Sequence, residues 1–180
     1  MLLERDNSLV LLVDMQERLL AVMADGRQCA ENCAILLRGA AELQIPILAS
    51  EQYRRGLGPT VGPLAELVPA DKRLEKMEFS CHDNSPIRTV LSGAGRRQIL
   101  LAGIEAHVCV LQTAEGLLAA DFQVFVAADA VASRKTENRD LALRRLERSG
   151  AVIVSVEMAL FEWLKTAETP EFRAISKMIR

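Results

Sequence analysis

Short, predominantly apolar runs recur along the chain, at residues 8–13, 45–49, 99–102, 122–127 and 151–154. Each has the length of a strand buried on both faces, and stretches with helical spacing of apolar residues separate them. That alternation predicts an α/β fold, a three-layer α/β/α sandwich around a central, mainly parallel sheet. With 180 residues and 19.8 kDa, positions 1–180 are expected to form one domain, large enough to cover a sheet on both sides.

Between the strong runs the signals are weaker. Helical spacing covers residues 27–43 and includes Cys29, Cys33, Leu36, Leu37 and Ala40. Residues 71–74 give a weak strand, and Asn84 or Ser85 ahead of Pro86 offers a helix start. Residues 53–63 hold Gly56, Gly58, Gly62 and two prolines, which predicts an irregular loop. Asp129 to Arg134 reads as a polar turn after a strand, Thr136 as a helix cap, and Pro170 as the opening of a last short helix.

In a parallel sheet, ligands bind beyond the carboxyl ends of the strands, so the polar residues there are the candidates for chemistry. Cys109 falls at a helix start just past the 99–102 run, after the break at Gly103. A helix start supplies N–H groups and a positive dipole end, which are expected to lower a thiol pKa and to steady an oxyanion. The alternative is a small buried hydrophobe, the usual state of a cysteine. Asp14 closes the first run, either as a reactive carboxylate or as a turn-forming cap. Lys76 lies between two glutamates, either as a solvated charge or as a cation facing the site. If the strands are parallel, all three emerge at one edge. The carboxylate could then take the thiol proton, the ammonium would favour both ionised partners, and the thiolate would attack an electrophilic carbon.

Composition removes other chemistries. Only two histidines are present, His82 and His107, so a multi-histidine metal site is impossible. His107 stands two residues from Cys109, a spacing that turns side chains apart on a helix. It is therefore read as a pocket or packing residue. No P-loop or dinucleotide glycine pattern is present, so no cofactor is expected. A net charge of −2 with no basic run argues against nucleic acid as the partner. The first apolar run is short and ends in Asp14, so neither an export signal nor a membrane span is expected. Four cysteines without a secretory signal predict free thiols and a cytoplasmic location. Gln52, Tyr53, Leu57, Phe79 and His107 are candidate substrate-pocket residues, because their loops should approach the thiol.

Val-Asp-Met-Gln at 13–16, Lys76 within Glu-Lys-Met-Glu-Phe-Ser, Gly-Ile-Glu-Ala-His-Val-Cys-Val at 103–110 and Ala-Asp-Ala-Val-Ala-Ser-Arg at 128–134 resemble the isochorismatase-like cysteine hydrolase family. Ser-Glu-Gln-Tyr at 50–53 and Gly-Leu-Gly-Pro-Thr at 56–60 are similar to its isochorismatase domain-containing branch. The resemblance implies a small-molecule hydrolase with an Asp14–Lys76–Cys109 triad. It also implies a cis peptide bond at Ile104–Glu105, an oxyanion hole from the backbone N–H groups of Glu105 and Cys109, and a homo-oligomer. Nicotinamidases of this family hold a divalent metal through an Asp-x-His pattern after the second strand. Glu51 and Gln52 stand there instead, so no metal is expected and an amide, ureide or related acyl bond other than nicotinamide's is the implied target. Two alternatives stay open: hydrolysis of a C–O or imine bond by the same thiol, and a catalytically idle scaffold that keeps the fold.

Overall fold

The computed structural model describes residues 1–179. Six strands form one sheet: β1 (Ser8–Val13), β2 (Ile47–Gln52), β3 (Arg73–Lys76), β4 (Gln98–Ile104), β5 (Gln123–Ala132) and β6 (Val152–Val154). Their spatial order is β3-β2-β1-β4-β5-β6, and every neighbouring pair is parallel. The order reverses between β1 and β4, and a crevice opens at such a point beyond the strand ends.

Nine α-helical segments accompany the sheet among the described residues. Three are single turns, α1 (Glu17–Leu20), α3 (Arg54–Leu57) and α4 (Gly62–Ala65). The longer ones are α2 (Gly26–Glu42), α5 (Ser85–Gly93), α6 (Leu111–Ala119), α7 (Thr136–Arg148), α8 (Val156–Leu164) and α9 (Pro170–Met178). None is long and apolar enough to cross a membrane.

Alternation along the strands divides the core in two. Val10, Leu12, Leu100 and Phe125 pack with Leu36 and Leu37 of α2, Leu160 and Trp163 of α8, and Ile175 of α9. Leu9, Leu11, Ile99 and Val124 pack with Ile87 and Leu91 of α5, Leu117 of α6 and Leu146 of α7. Burying one such large apolar side chain contributes roughly 1.5–3 kcal/mol, and a one-residue slip would turn a whole set to the wrong layer. The three-layer sandwich therefore follows from period-2 patterning within uniformly apolar strands.

Local boundaries differ from the expectations at several points. β2 runs on through Ser50, Glu51 and Gln52, because its backbone pairs with β3 up to Gln52 against Lys76. β3 accordingly spans Arg73–Lys76 and ends on the lysine itself. Residues 129–132 are strand, not turn, since β5 bulges between the partners of Leu101 and Gly103 and then resumes pairing through Ala132. Thr136 is the first residue of α7 and caps nothing; Lys135 holds the cap position without a side-chain bond. A single helical turn, α3, interrupts the 53–63 segment. Asn84 does cap α5, accepting from Ile87 N at 3.2 Å.

Candidate active site

Three strand ends carry the cluster. Asp14 follows β1 in a left-handed conformation, φ 50°, which aspartate tolerates better than most residues. Beside it Gly103 lies at φ 119°, where any Cβ would strike the Val13 carbonyl oxygen, so only glycine lets β4 run this close to β1. Past Gly103 the Ile104–Glu105 peptide bond is cis. The chain then enters a π-helical turn, Ala106–Val110, that leads into α6 and holds Cys109 in the core layer with Val13, Cys81 and Ala106.

Asp14 and Lys76 form an ion pair, Nζ to Oδ2 2.7 Å, with both side chains fully buried. The second carboxylate oxygen accepts from Ser50 Oγ at 2.6 Å. The ammonium donates further to Gln52 Oε1 at 2.6 Å and to the Glu78 carbonyl at 3.2 Å. Burial works against the charged lysine, but Asp14 chiefly, with Cys81 and Cys109, more than offsets it and raises the Lys76 pKa.

The thiol is where the structure departs from the electrostatic expectation. Burial first, and the Asp14 carboxylate second, push the Cys109 pKa well above its ordinary value, and Lys76 offsets only part of this. These surroundings favour the protonated thiol. A helix start and a nearby ammonium do not make a thiolate when the sulfur is out of water. Cys81 feels the same surroundings: burial and Asp14 push it up to about 11. Its backbone N donates to Thr113 Oγ1, one turn beyond Cys109.

The other candidates are distributed around this cluster. Gln52 is buried with both ends of its amide engaged, Oε1 by Lys76 and Nε2 by the Met77 carbonyl. Tyr53 and Phe79 are exposed, and Leu57 is half-buried on α3. Half-buried His107 pairs through Nδ1 with Ser133 Oγ at 3.0 Å. The Glu105 carboxylate is held by the Arg134 backbone N–H at 3.1 Å and by its guanidinium at 3.0 Å, which ties the π-helical turn to the end of β5.

Ser50 and Gln16 were not singled out by the sequence. Gln16 exchanges hydrogen bonds with the Gln52 backbone, accepting from its N at 2.6 Å and donating to its carbonyl at 3.0 Å. Period-2 spacing was the available signal, because Ser50 and Gln52 share one side of β2 while Glu51 faces the other. Glu51 does not need a metal. Its Oε1 accepts from both Thr60 N and Thr60 Oγ1 at 2.8 Å, and Arg54 Nε lies 3.3 Å from Oε2. No group of three or more His, Cys, Asp or Glu among the described residues is arranged to hold a metal ion. The residues here do not fit the divalent ion of the nicotinamidases.

The isochorismatase domain profile matches residues 8–158. The chain belongs to the isochorismatase-like cysteine hydrolase family. Isochorismatase domain-containing protein 2 of Danio rerio is 36% identical over 177 residues, 98% of this chain and 89% of that one. Among solved structures, a MAR1 ribonuclease from Caenorhabditis elegans superimposes with a TM-score of 0.93 at 31% identity, covering 99% of this chain and 92% of that one. YcaC from Pseudomonas aeruginosa, solved with hexane-2,5-diol and covalent acrylamide, has a TM-score of 0.93 at 25% identity, covering 98% and 91%. The sandwich fold and the Asp–Lys salt bridge are thus set within a family of cysteine-hydrolase chemistry.

Proposed function

We propose that this chain is a metal-independent cysteine hydrolase of a small molecule, acting on an amide, ureide or related acyl carbon. The observation that carries the reading is the fully buried Asp14–Lys76 pair at 2.7 Å, with the Cys109 thiol within its influence. Burying two charges is costly unless they are paired, and a second cost is accepted here in holding a thiol beside a carboxylate. Such arrangements concentrate at reactive centres.

In this mechanism the Asp14 carboxylate takes the Cys109 proton as sulfur attacks the carbonyl carbon. The Glu105 and Cys109 backbone N–H groups hold the developing oxyanion. Collapse expels the amine, which leaves with the proton that Asp14 had taken, and a thioester remains on Cys109. Asp14 then activates water, which releases the acid and restores the thiol. Lys76 stays charged throughout, held beside the carboxylate at 2.7 Å. Of the five pocket candidates, Tyr53, Leu57, Phe79 and His107 line the substrate pocket in this mechanism, while Gln52 has both ends of its amide engaged within the cluster.

Covalent acrylamide on YcaC, which takes a nucleophile at its alkene carbon, supports a reactive nucleophile in a protein of this fold. An acidic chain with pI near 5.8 gives no comparable support for the RNA substrate named for the nematode protein. Exposed Leu141, Met158 and Phe161 suit a homo-oligomer, and four free thiols suit a reducing compartment such as the cytoplasm. The test is a panel of small amides, ureides, esters, enol ethers and imines assayed with wild type and Cys109→Ala in parallel, with mass spectrometry of the trapped protein. The reading requires turnover of an acyl compound, an adduct on Cys109, and a loss of roughly 10³-fold or more in the variant. Turnover that survives the substitution would overturn it, and so would adducts confined to other thiols.

A further inference from the structure

The Lys76 ammonium has three N–H donors, and three protein acceptors take them: Asp14 Oδ2 at 2.7 Å, Gln52 Oε1 at 2.6 Å and the Glu78 carbonyl at 3.2 Å. None is left for a substrate oxygen. Lys76 therefore acts at a distance, through where its charge is held.

Of the three acceptors, Gln52 is the one that brings no charge of its own and reaches the ammonium from a different strand. Its amide orientation is settled by its neighbours, because an ammonium only donates and the Met77 carbonyl, 2.8 Å from Nε2, only accepts. Its backbone is pinned by the two hydrogen bonds to Gln16, whose Nε2 also reaches the Gly58 carbonyl at 2.6 Å. A continuous network thus runs Gly58–Gln16–Gln52–Lys76–Asp14–Ser50 across the ends of β1, β2 and β3. Buried networks of this kind, when fully satisfied, fix one arrangement.

We infer that Gln52 is a positioning residue: it aims the Lys76 ammonium at the Asp14–Cys109 pair and, being neutral, does so without cancelling its charge. The inference rests on the proposed reading of Asp14, Lys76 and Cys109 as the reactive centre. The titratable groups facing Cys109 are Asp14 from β1, Lys76 from β3 and Cys81 from the loop after β3. A carboxylate in place of the amide would share Lys76 with Asp14 and lower the positive potential felt by the sulfur. An apolar side chain of similar length would free the ammonium to swing.

The test needs no substrate. Iodoacetamide labelling of Cys109 is followed by peptide-resolved mass spectrometry between pH 7 and 9, in wild type, Gln52→Glu, Gln52→Met and Asp14→Asn. Folding of each variant is checked by circular dichroism. Gln52→Glu reads the charge and should slow labelling of Cys109 about three- to tenfold at each pH. Gln52→Met reads the aim and should also slow it, by less. A purely structural role predicts the reverse, since a loosened site exposes a buried thiol and labels faster. Labelling in Gln52→Met at the wild-type rate or above overturns the inference, whether or not Gln52→Glu folds. Asp14→Asn separates the two levels of argument: removing the base that takes the thiol proton should slow labelling of Cys109. If labelling of Cys109 is unchanged or faster in that variant, the reactive-centre reading itself fails.

Discussion

Replacing Lys76 by methionine is the most direct test of what holds the cluster together. At the observed 2.7 Å, two unit charges attract by about 6 kcal/mol at an effective dielectric of about 20. Part of that is returned when the lysine no longer has to be desolvated. The Asp14 carboxylate, however, stays buried with Ser50 Oγ as its remaining side-chain donor. Breaking one side of such a pair costs about 3–5 kcal/mol. For a chain of this size that corresponds to a fall in melting temperature of roughly 6–20 °C. Asp14→Asn is the matching change, because asparagine accepts the φ of 50° found there. Urea unfolding of wild type, both single variants and the double variant closes the cycle. The double variant should be more stable than the sum of the single losses predicts, by about 3 kcal/mol, since it leaves neither charge stranded. A loss below about 1 kcal/mol for Lys76→Met, or strict additivity in the cycle, would refute the account, as only a solvent-screened pair behaves in that way.

Alkaline pH offers a second test. Cys81 keeps its proton to about 11 in the fold against an ordinary 9.0, so above pH 9 the unfolded chain binds fewer protons and stability falls as pH rises. About 2–3 kcal/mol should vanish between pH 9 and 11, and Cys81→Ala should flatten that part of the urea-midpoint profile. Cys109 adds loss in the same direction, and the raised Lys76 contributes stability that is complete below 10.5 and fades above it. Gly103→Ala should cost roughly 3 kcal/mol or prevent folding, because its Cβ meets the Val13 carbonyl and its φ is left-handed, as read by the urea midpoint. Glu51→Gln should cost only about 1 kcal/mol, since its Arg54 partner is largely exposed. Limited proteolysis should still show faster cutting in the 53–61 loop that Glu51 anchors through Thr60.

The parts legible in the sequence were those with contrast against their surroundings. Asp14, Lys76 and Cys109 stand out as reactive types beside apolar runs, and a parallel sheet brings such ends together. Ser50 lacked that contrast, and Gln52 read only as a loop residue near the pocket: at the end of an apolar run both look like the start of a loop. Only pairing with β3 makes them strand residues with inward side chains. The bulge that carries β5 through Asp129 was hidden for the same reason, since a polar residue there serves packing elements, accepting from Val156 N at 2.9 Å. The direction of the Cys109 pKa could not be read from neighbours in the chain at all. It depends on how much water the finished fold leaves at the sulfur, and that outweighed the dipole and the ammonium.

The partners of the ion pair are separated by 62 residues, and two parallel crossovers must be in place before they can meet. Contacts of such long range close late, so their energy adds little to the rate at which the chain assembles. It acts instead on the barrier to coming apart. The same buried bond therefore acts as a latch, and the lifetime of the folded chain is tied to a charge pair held between the ends of β1 and β3.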